Sequence, residues 1–327
     1  MGQRVWIIEK PGGEFRAVES PPPKLGINQV LVRIAASGVN PIDTKIRAGN
    51  AAHAKQPLPA VLGLDMAGTV EAVGAGVTAF KLRDEVYGMV GGVGGLQGTL
   101  AEFIAADADL IAHKPKNLSM REAAALPLST ITAWEGLVDR AQVGPGHKVL
   151  IHAGAGGVGH IAIQIARASG AEVLTTVSAD KKHVVVNLGA IAIDYQSVSV
   201  DEYVANFTSG RGFDIIFDTV GGATLDASFR AVKQYTGHVV SILGWGTHSL
   251  APLSFRGATY SGVFTLLPLI DGENRRHHGK ILARAAAIAE EGNLRPLLTD
   301  RRFSSADIGA AYDSVEGGSL GKVVVEL

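Results

Sequence analysis

The chain has 327 residues, enough for two domains with substantial cores, and its 46% hydrophobic content is ordinary for a globular protein. Its 30 Lys and Arg nearly balance 31 Asp and Glu, for a net charge of −1 with no basic block, which argues against nucleic acid as the main partner. The absence of cysteine excludes disulfides, thiolate zinc sites, iron–sulfur ligation and cysteine nucleophiles, and fits a reducing cytoplasm.

The N-terminal "MGQRVWIIEK" lacks the long apolar core of a signal peptide, and every apolar stretch is interrupted short of a membrane span. A soluble cytoplasmic protein is the expectation. Residues 1–123 read as short β segments, such as "QVLVRIAASGV" and "DEVYGMV", bounded by glycine and proline. The three prolines of "SPPPKL" make an extended connection. Near Leu118 the composition turns helical. Ser119 and Glu122 fit a capping box, and Pro127 interrupts that helix or begins a new one.

From about His147 to Tyr260 strand and helix alternate, which predicts a parallel α/β sheet of three to six strands. "KVLIHA" is a strand covered on both faces, and "GVGHIAIQIARASG" is a helix with apolar positions at Val158, Ile161, Ile165 and Ala168. "GATYSGVF" is a candidate sixth strand. The remainder predicts a long helix in "RRHHGKILARAAAIAEEG", a short strand at residues 296–299, a helix from Ser304 to Val315 and a closing strand in "GKVVVEL". Periodicity leaves open whether that last strand returns to the first domain.

The strongest motif is Gly154-x-Gly156-x-x-Gly159, directly after a buried-type strand and at a helix start. Such a turn cradles a dinucleotide pyrophosphate. Gly154 permits the tight turn, Gly156 lets phosphate meet bare backbone, and Gly159 lets the helix pack on the sheet. The amides of Gly157 and Val158 join the same cradle at the helix's positive end. The next strand ends "TTVSADKK". An acid at that tip would favour NAD, but Thr175, Thr176 and Ser178 are neutral, Lys181 and Lys182 are close, and Asp180 reads as a helix cap. The pattern favours NADPH. The competing reading leaves the lysines as solvated surface charge.

These motifs place the sequence. "AASGVNPIDTKIR", "VLGLDMAGTVEAVGAGVTAF", "GTLAEFIAAD", "AAALPLSTITAWEGL", "VLIHAGAGGVGHIAIQIA", "FDTVGG" and "GKVVVEL" occur in family order across essentially the whole chain. Together they resemble the zinc-independent quinone oxidoreductase branch of the medium-chain dehydrogenase/reductase superfamily. The resemblance implies an α/β fold: a Rossmann-type parallel-sheet domain (124–265) and a GroES-like β-rich catalytic domain made of residues 1–123 and 266–327. It places the active site in the interdomain cleft and implies a homodimer joined at the last strand of the nucleotide sheet.

Zinc-dependent relatives carry cysteine where Asn40 stands and histidine where Asp65 stands, so no metal site is expected. By the same carry-over, Asn40 and Asp43 line the active site. Thr130 approaches the nicotinamide, while Ser178, Lys182 and Tyr195 approach the 2′-phosphate. Val220 and Gly244 face the cofactor from strand ends, and Lys322 is a further cofactor contact. Simpler readings compete: Asn-Pro as a turn, Tyr195 as a strand-end aromatic, Lys322 as a surface lysine.

Two departures stand out. Arg83 occupies a turn position where relatives commonly have glycine, and Trp245 is bulky beside the nicotinamide end, as cleft cap or core residue. The "GGVGG" run (Gly91 to Gly95) suggests a loose loop. The implied activity is NADPH-dependent hydride transfer to a quinone or an α,β-unsaturated carbonyl. The alternatives are a related enzyme for another carbonyl substrate and a non-catalytic NADPH-binding regulatory protein.

Overall fold

The computed structural model describes residues 2–327, which divide into two compact units: residues 2–131 with Thr265–Leu327, and Thr132–Phe264. The first unit is built on the long strand Gln29–Val39, whose Val30, Val32, Ile34 and Ala36 alternate into the core. This strand pairs antiparallel with Asp65–Val73, with Phe103–Asp107 and with Val323–Glu326. The chain's last strand therefore does belong to the first unit, a pairing 284 or more residues apart that no local periodicity reports. Gly38 is required here, because a Cβ on it would lie 2.3 Å from the carbonyl oxygen of Ala124.

The helical stretch after Leu118 splits as the proline demands. Met120–Ala124 is capped by Ser119, whose N–H and hydroxyl donate to Glu122 Oε2 at 2.8 and 2.7 Å, and Pro127 opens the next helix, Pro127–Trp134. Helix Arg275–Glu290 buries Ile281, Leu282 and Ala285, and Tyr87 donates to the Leu282 carbonyl at 2.7 Å. Tyr87 is thus a core tyrosine, and burial raises its phenol above the ordinary range.

Several sequence expectations are corrected. Residues 296–299 form only an isolated bridge, Leu298 to Lys322, and the short strand is Phe303–Ser304. The following helix starts later, at Ile308, because Ser304 is held in a turn by the Asp307 carboxylate at 2.7 and 3.0 Å. The glycine run at 91–95 is packed over its first three residues, and only Gly95 is exposed with open space around it. A Cβ on Gly91 would come within 1.8 Å of the Gln97 carbonyl oxygen, one on Gly92 within 2.5 Å of the Gly63 oxygen, and Val93 is fully buried. Arg83 adopts φ 71°, the left-handed conformation that suits glycine and is strained for a residue with a Cβ.

The second unit carries six parallel strands in the spatial order Ile191–Asp194, Glu172–Val177, Lys148–Ile151, Ile215–Asp218, His238–Ser241, Thr259–Gly262. The first of these in sequence, Lys148–Ile151, lies in the middle. Successive strands add on one side and then on the other. That reversal creates a switch point between Lys148–Ile151 and Ile215–Asp218, where open sheets of this kind receive ligands at the strands' C-terminal ends. Val149, Leu150 and Ile151 are fully buried, as expected for a strand covered on both faces. Helix Gly159–Ala168 is buried from Gly159 through Ala166, while Ala168 is exposed, so its apolar face is broader than the one-stripe spacing predicts. Phe213, Phe229, Leu174 and Ile216 belong to a core that packs this sheet against the helices Val200–Thr208 and Ala223–Ala231.

Candidate active site

In the nucleotide unit the strand Lys148–Ile151 runs through His152 into the glycine turn and then into helix Gly159–Ala168. The residue in the left-handed conformation is Ala153, at φ 53°, and not Gly154. Gly154 is required for another reason: a Cβ there would stand 2.0 Å from Thr175 Oγ1. Gly159 is equally constrained, since its Cβ would meet the Ala153 carbonyl oxygen at 2.2 Å. A Cβ on Gly156 meets only that same oxygen, at 3.1 Å, and Gly156 and Gly157 are exposed. Bare, accessible main chain at the N-terminus of a buried helix fits a pyrophosphate.

At the adenosine end, Ser178 and Lys182 follow the tip of Glu172–Val177. Asp180 does not cap the Lys182–Asn187 helix. It sits inside the single 3-10 turn Ala179–Lys181, and its hydrogen bond to the Ser178 side chain holds its carboxyl below the usual range. Lys182 is exposed and lies 3.9 Å from Asp194 Oδ2, while Tyr195 beside it is 57% exposed. Val220 is 47% exposed, and Gly244 lies against Tyr260, whose hydroxyl a Cβ would approach within 2.1 Å. Trp245 is half exposed and meets Phe264 edge to face at 6.3 Å, which removes the core-packing reading.

The β-rich unit gathers Asn40, Asp43 and Lys322 with one residue singled out only as a lost metal ligand, Asp65. All four are buried. Lys322 Nζ donates to Asn40 Oδ1, Asn40 Nδ2 donates to Asp65 Oδ2 at 3.0 Å, and Asp65 Oδ1 accepts the Leu128 N–H at 3.0 Å. Asp43 caps the turn by accepting the Asn40 N–H at 2.8 Å, so the Asn-Pro turn and the site are one feature. A lysine ammonium can only donate, which fixes the Asn40 oxygen toward Lys322 and its NH₂ toward Asp65. Lys322 is therefore no surface residue.

One cation and two carboxylates share this dry space. Burial pushes the Asp43 carboxyl up from 3.8 to about 7, with repulsion from Asp65 adding to it and Asn40 and Lys322 opposing. Burial likewise raises Asp65 to about 6 against the pull of Lys322 and Asn40, and lowers Lys322. Asp43 Oδ1 is buried without a hydrogen-bond partner, as is the hydroxyl of Thr130. A protonated Asp43 leaves the cluster near neutral, and the orphan Thr130 hydroxyl suits a contact to a bound group. Among the described residues no three His, Cys, Asp or Glu side chains form a metal-ligand group.

The chain matches the alcohol dehydrogenase GroES-like domain over residues 26–116 and the zinc-binding dehydrogenase family over residues 157–269. It is 35% identical over 312 residues to 2-methylene-furan-3-one reductase of Solanum lycopersicum, covering 93% of this chain and 73% of the relative. It is 33% identical over 334 residues to the chloroplastic NADPH-dependent alkenal/one oxidoreductase of Arabidopsis thaliana, covering 98% and 79%. Among solved structures, an alcohol dehydrogenase superfamily protein from Novosphingobium aromaticivorans superposes with a TM-score of 0.97 at 54% identity, covering 99% of both chains. The chain belongs to the medium-chain dehydrogenase/reductase superfamily, in its zinc-independent branch related to quinone and enone oxidoreductases.

The Asp43 carboxyl sits higher in the folded chain than its ordinary value, so the folded state holds a proton that the unfolded state has released. Its stabilising contribution is complete below about pH 4 and is lost as pH rises through about 7. In Asp43→Asn no such proton exists. The unfolding free energy of this variant, from urea titrations, is expected to gain on wild type by on the order of 1–4 kcal/mol between about pH 4 and about pH 8. A constant difference across that window would show that Asp43 titrates normally.

Proposed function

We propose that this chain is an NADPH-dependent reductase of conjugated carbonyl compounds, enones and quinones, that works without a metal. The observation that carries the reading is the buried run Lys322–Asn40–Asp65. Two of its members, Asn40 and Asp65, stand where the resemblance puts the metal ligands of zinc-dependent relatives, and the third is a lysine that fixes the Asn40 amide. Similarity to one relative named for an enone and another named for alkenals and alkenones supports the same substrate class.

NADPH, when bound, supplies the hydride. The protein's part is binding, orientation and electrostatics. The amides of Gly154, Gly156, Gly157, Val158 and Gly159 would hold the pyrophosphate. Ser178, Lys182 and Tyr195 would hold the 2′-phosphate, and Thr130, Val220 and Gly244 would line the nicotinamide end. Asp194, 3.9 Å from Lys182, keeps that ammonium at the strand tips until a phosphate outcompetes it. In the β-rich unit the second hydrogen of the Asn40 amide has no partner among the described residues. Oriented by Lys322 and Asp65, it would donate to the acceptor's carbonyl oxygen as negative charge builds there. The neutral form of Asp43 keeps a second carboxylate charge from opposing that build-up.

Thr259–Gly262 is one of the two edges of the parallel sheet, with Tyr260 and Ser261 half-buried. An unprotected edge of this kind is a site for pairing, and we assign it to a second copy of the chain. Sedimentation at the mass of one chain would exclude that homodimer.

Metal-chelated protein is expected to oxidise NADPH with enones or quinones in a panel that also holds simple aldehydes. Asn40→Ala should lower kcat about 10²-fold with little change in the KM for NADPH. Lys182→Ala should raise the KM for NADPH more than that for NADH. Tight NADPH binding with no oxidation by any acceptor would leave the non-catalytic alternative. Equal effects of Lys182→Ala on both cofactors would remove that lysine from the phosphate site.

A further inference from the structure

His152 is a buried titratable residue that the reaction above does not use. It stands between the strand Lys148–Ile151 and the phosphate turn, and only 3% of it is exposed. Its ring bridges two hydroxyls, with Nδ1 3.1 Å from Thr176 Oγ1 and Nε2 3.1 Å from Ser228 Oγ. The proton positions follow from the ends of this chain. Ser228 donates its only hydroxyl hydrogen to the Thr224 carbonyl at 2.8 Å, so it must accept from His152 Nε2–H. Burial lowers the imidazole to about 4, against the attraction of Asp218, so the ring is neutral and Nδ1 is an acceptor. The Thr176 hydroxyl therefore donates to Nδ1, and its oxygen accepts the Ala153 N–H at 3.1 Å.

One unbroken sequence of donors thus runs from Ala153 N–H through Thr176, His152 and Ser228 to Thr224, inside helix Ala223–Ala231. Its first member is the strained residue of the phosphate turn, Ala153 at φ 53°. The turn's geometry depends on that residue. The Ala153 carbonyl accepts the Gly156 N–H at 2.9 Å and crowds Gly159. The His152 carbonyl also accepts the Thr219 hydroxyl, at 2.6 Å, in the segment that follows strand Ile215–Asp218. The two segments at the sheet's switch point, 153–159 and 219–224, are therefore tied through one histidine.

We propose that His152 is a positioning residue for the dinucleotide: acting as the neutral Nε2–H tautomer through Thr176, it holds Ala153 in its left-handed conformation and so aims the turn's amides at the pyrophosphate. The inference rests on the NADPH-binding reading given above. It differs from a general packing role in what it affects, because in that reading only the pyrophosphate half of the ligand would contact this turn. The 2′-phosphate end, around Ser178 and Lys182, lies past the end of the next strand and takes no hydrogen bond from the relay.

The test is calorimetric titration of the full chain with NADPH and with 2′-AMP, which carries the 2′-phosphate but no pyrophosphate. Thr176→Val keeps the side-chain shape and removes the hydroxyl; it is expected to weaken NADPH about tenfold and to leave 2′-AMP within about twofold. His152→Leu should do the same, and the double variant should be no weaker than the single ones, because both break one relay. Thr176→Ser and His152→Gln retain a donor and an acceptor and should recover most of the NADPH affinity. Parallel loss of NADPH and 2′-AMP, additive losses in the double variant, or unchanged NADPH affinity in Thr176→Val would each overturn the role. Failure of the wild type to bind NADPH would instead overturn the dinucleotide reading itself.

Discussion

A dinucleotide pyrophosphate can be held by main-chain N–H groups only if no side chain stands between them and it, and the nucleotide unit is organised around that constraint. Gly156 and Gly157 are exposed and bare. Gly154 and Gly159 are glycines for a different reason, the lack of space against Thr175 and Ala153. The chain meets the conformational demand of the turn at Ala153, where a Cβ makes the left-handed region unfavourable. The hydroxyl of Thr176 and the carbonyl of the same strand residue, which accepts the Gly154 N–H at 3.1 Å, hold that conformation from below. Placement at the switch point of the sheet then follows from strand order.

Under the proposed function, the β-rich unit solves a different problem, how to aim a hydrogen-bond donor at a carbonyl oxygen without a metal. A lone buried ammonium is expensive to desolvate, as are two buried carboxylates. Linking Lys322 and Asp65 through the Asn40 amide gives each a hydrogen-bond partner, and a raised Asp43 pKa keeps the cluster from carrying excess negative charge. The amide is thereby fixed in one orientation. Such an arrangement would stabilise developing negative charge more weakly than a divalent ion does. That suits conjugated acceptors, whose charge is delocalised as it forms.

Much of this was legible in the sequence because it is local. The glycine spacing after "KVLIHA", the Ser119–Glu122 cap and the break at Pro127 each depend on neighbouring residues, and each is present. What was not legible depends on distant partners. Asp65 reads as a missing metal ligand until folding brings Lys322, 257 positions away, into the same cluster. The role of His152 is hidden because Thr176 and Ser228 reach it from separate elements. The glycines at 91–95 read as looseness, but Gln97 presses on Gly91 and Gly63 on Gly92, which makes the start of the run a packed corner. In each case the sequence names the residue, while its neighbours, supplied by topology, determine its use.

The central claim is that hydride from NADPH reaches the carbon–carbon double bond of a conjugated carbonyl without a metal to polarise the oxygen. NADPH carrying deuterium at the transferring position of C4, incubated with chelated protein and an acyclic enone, tests it most directly by locating the label in the product by NMR. The account predicts deuterium on the carbon β to an intact carbonyl. Deuterium on a carbinol carbon, the mark of carbonyl reduction, would contradict it.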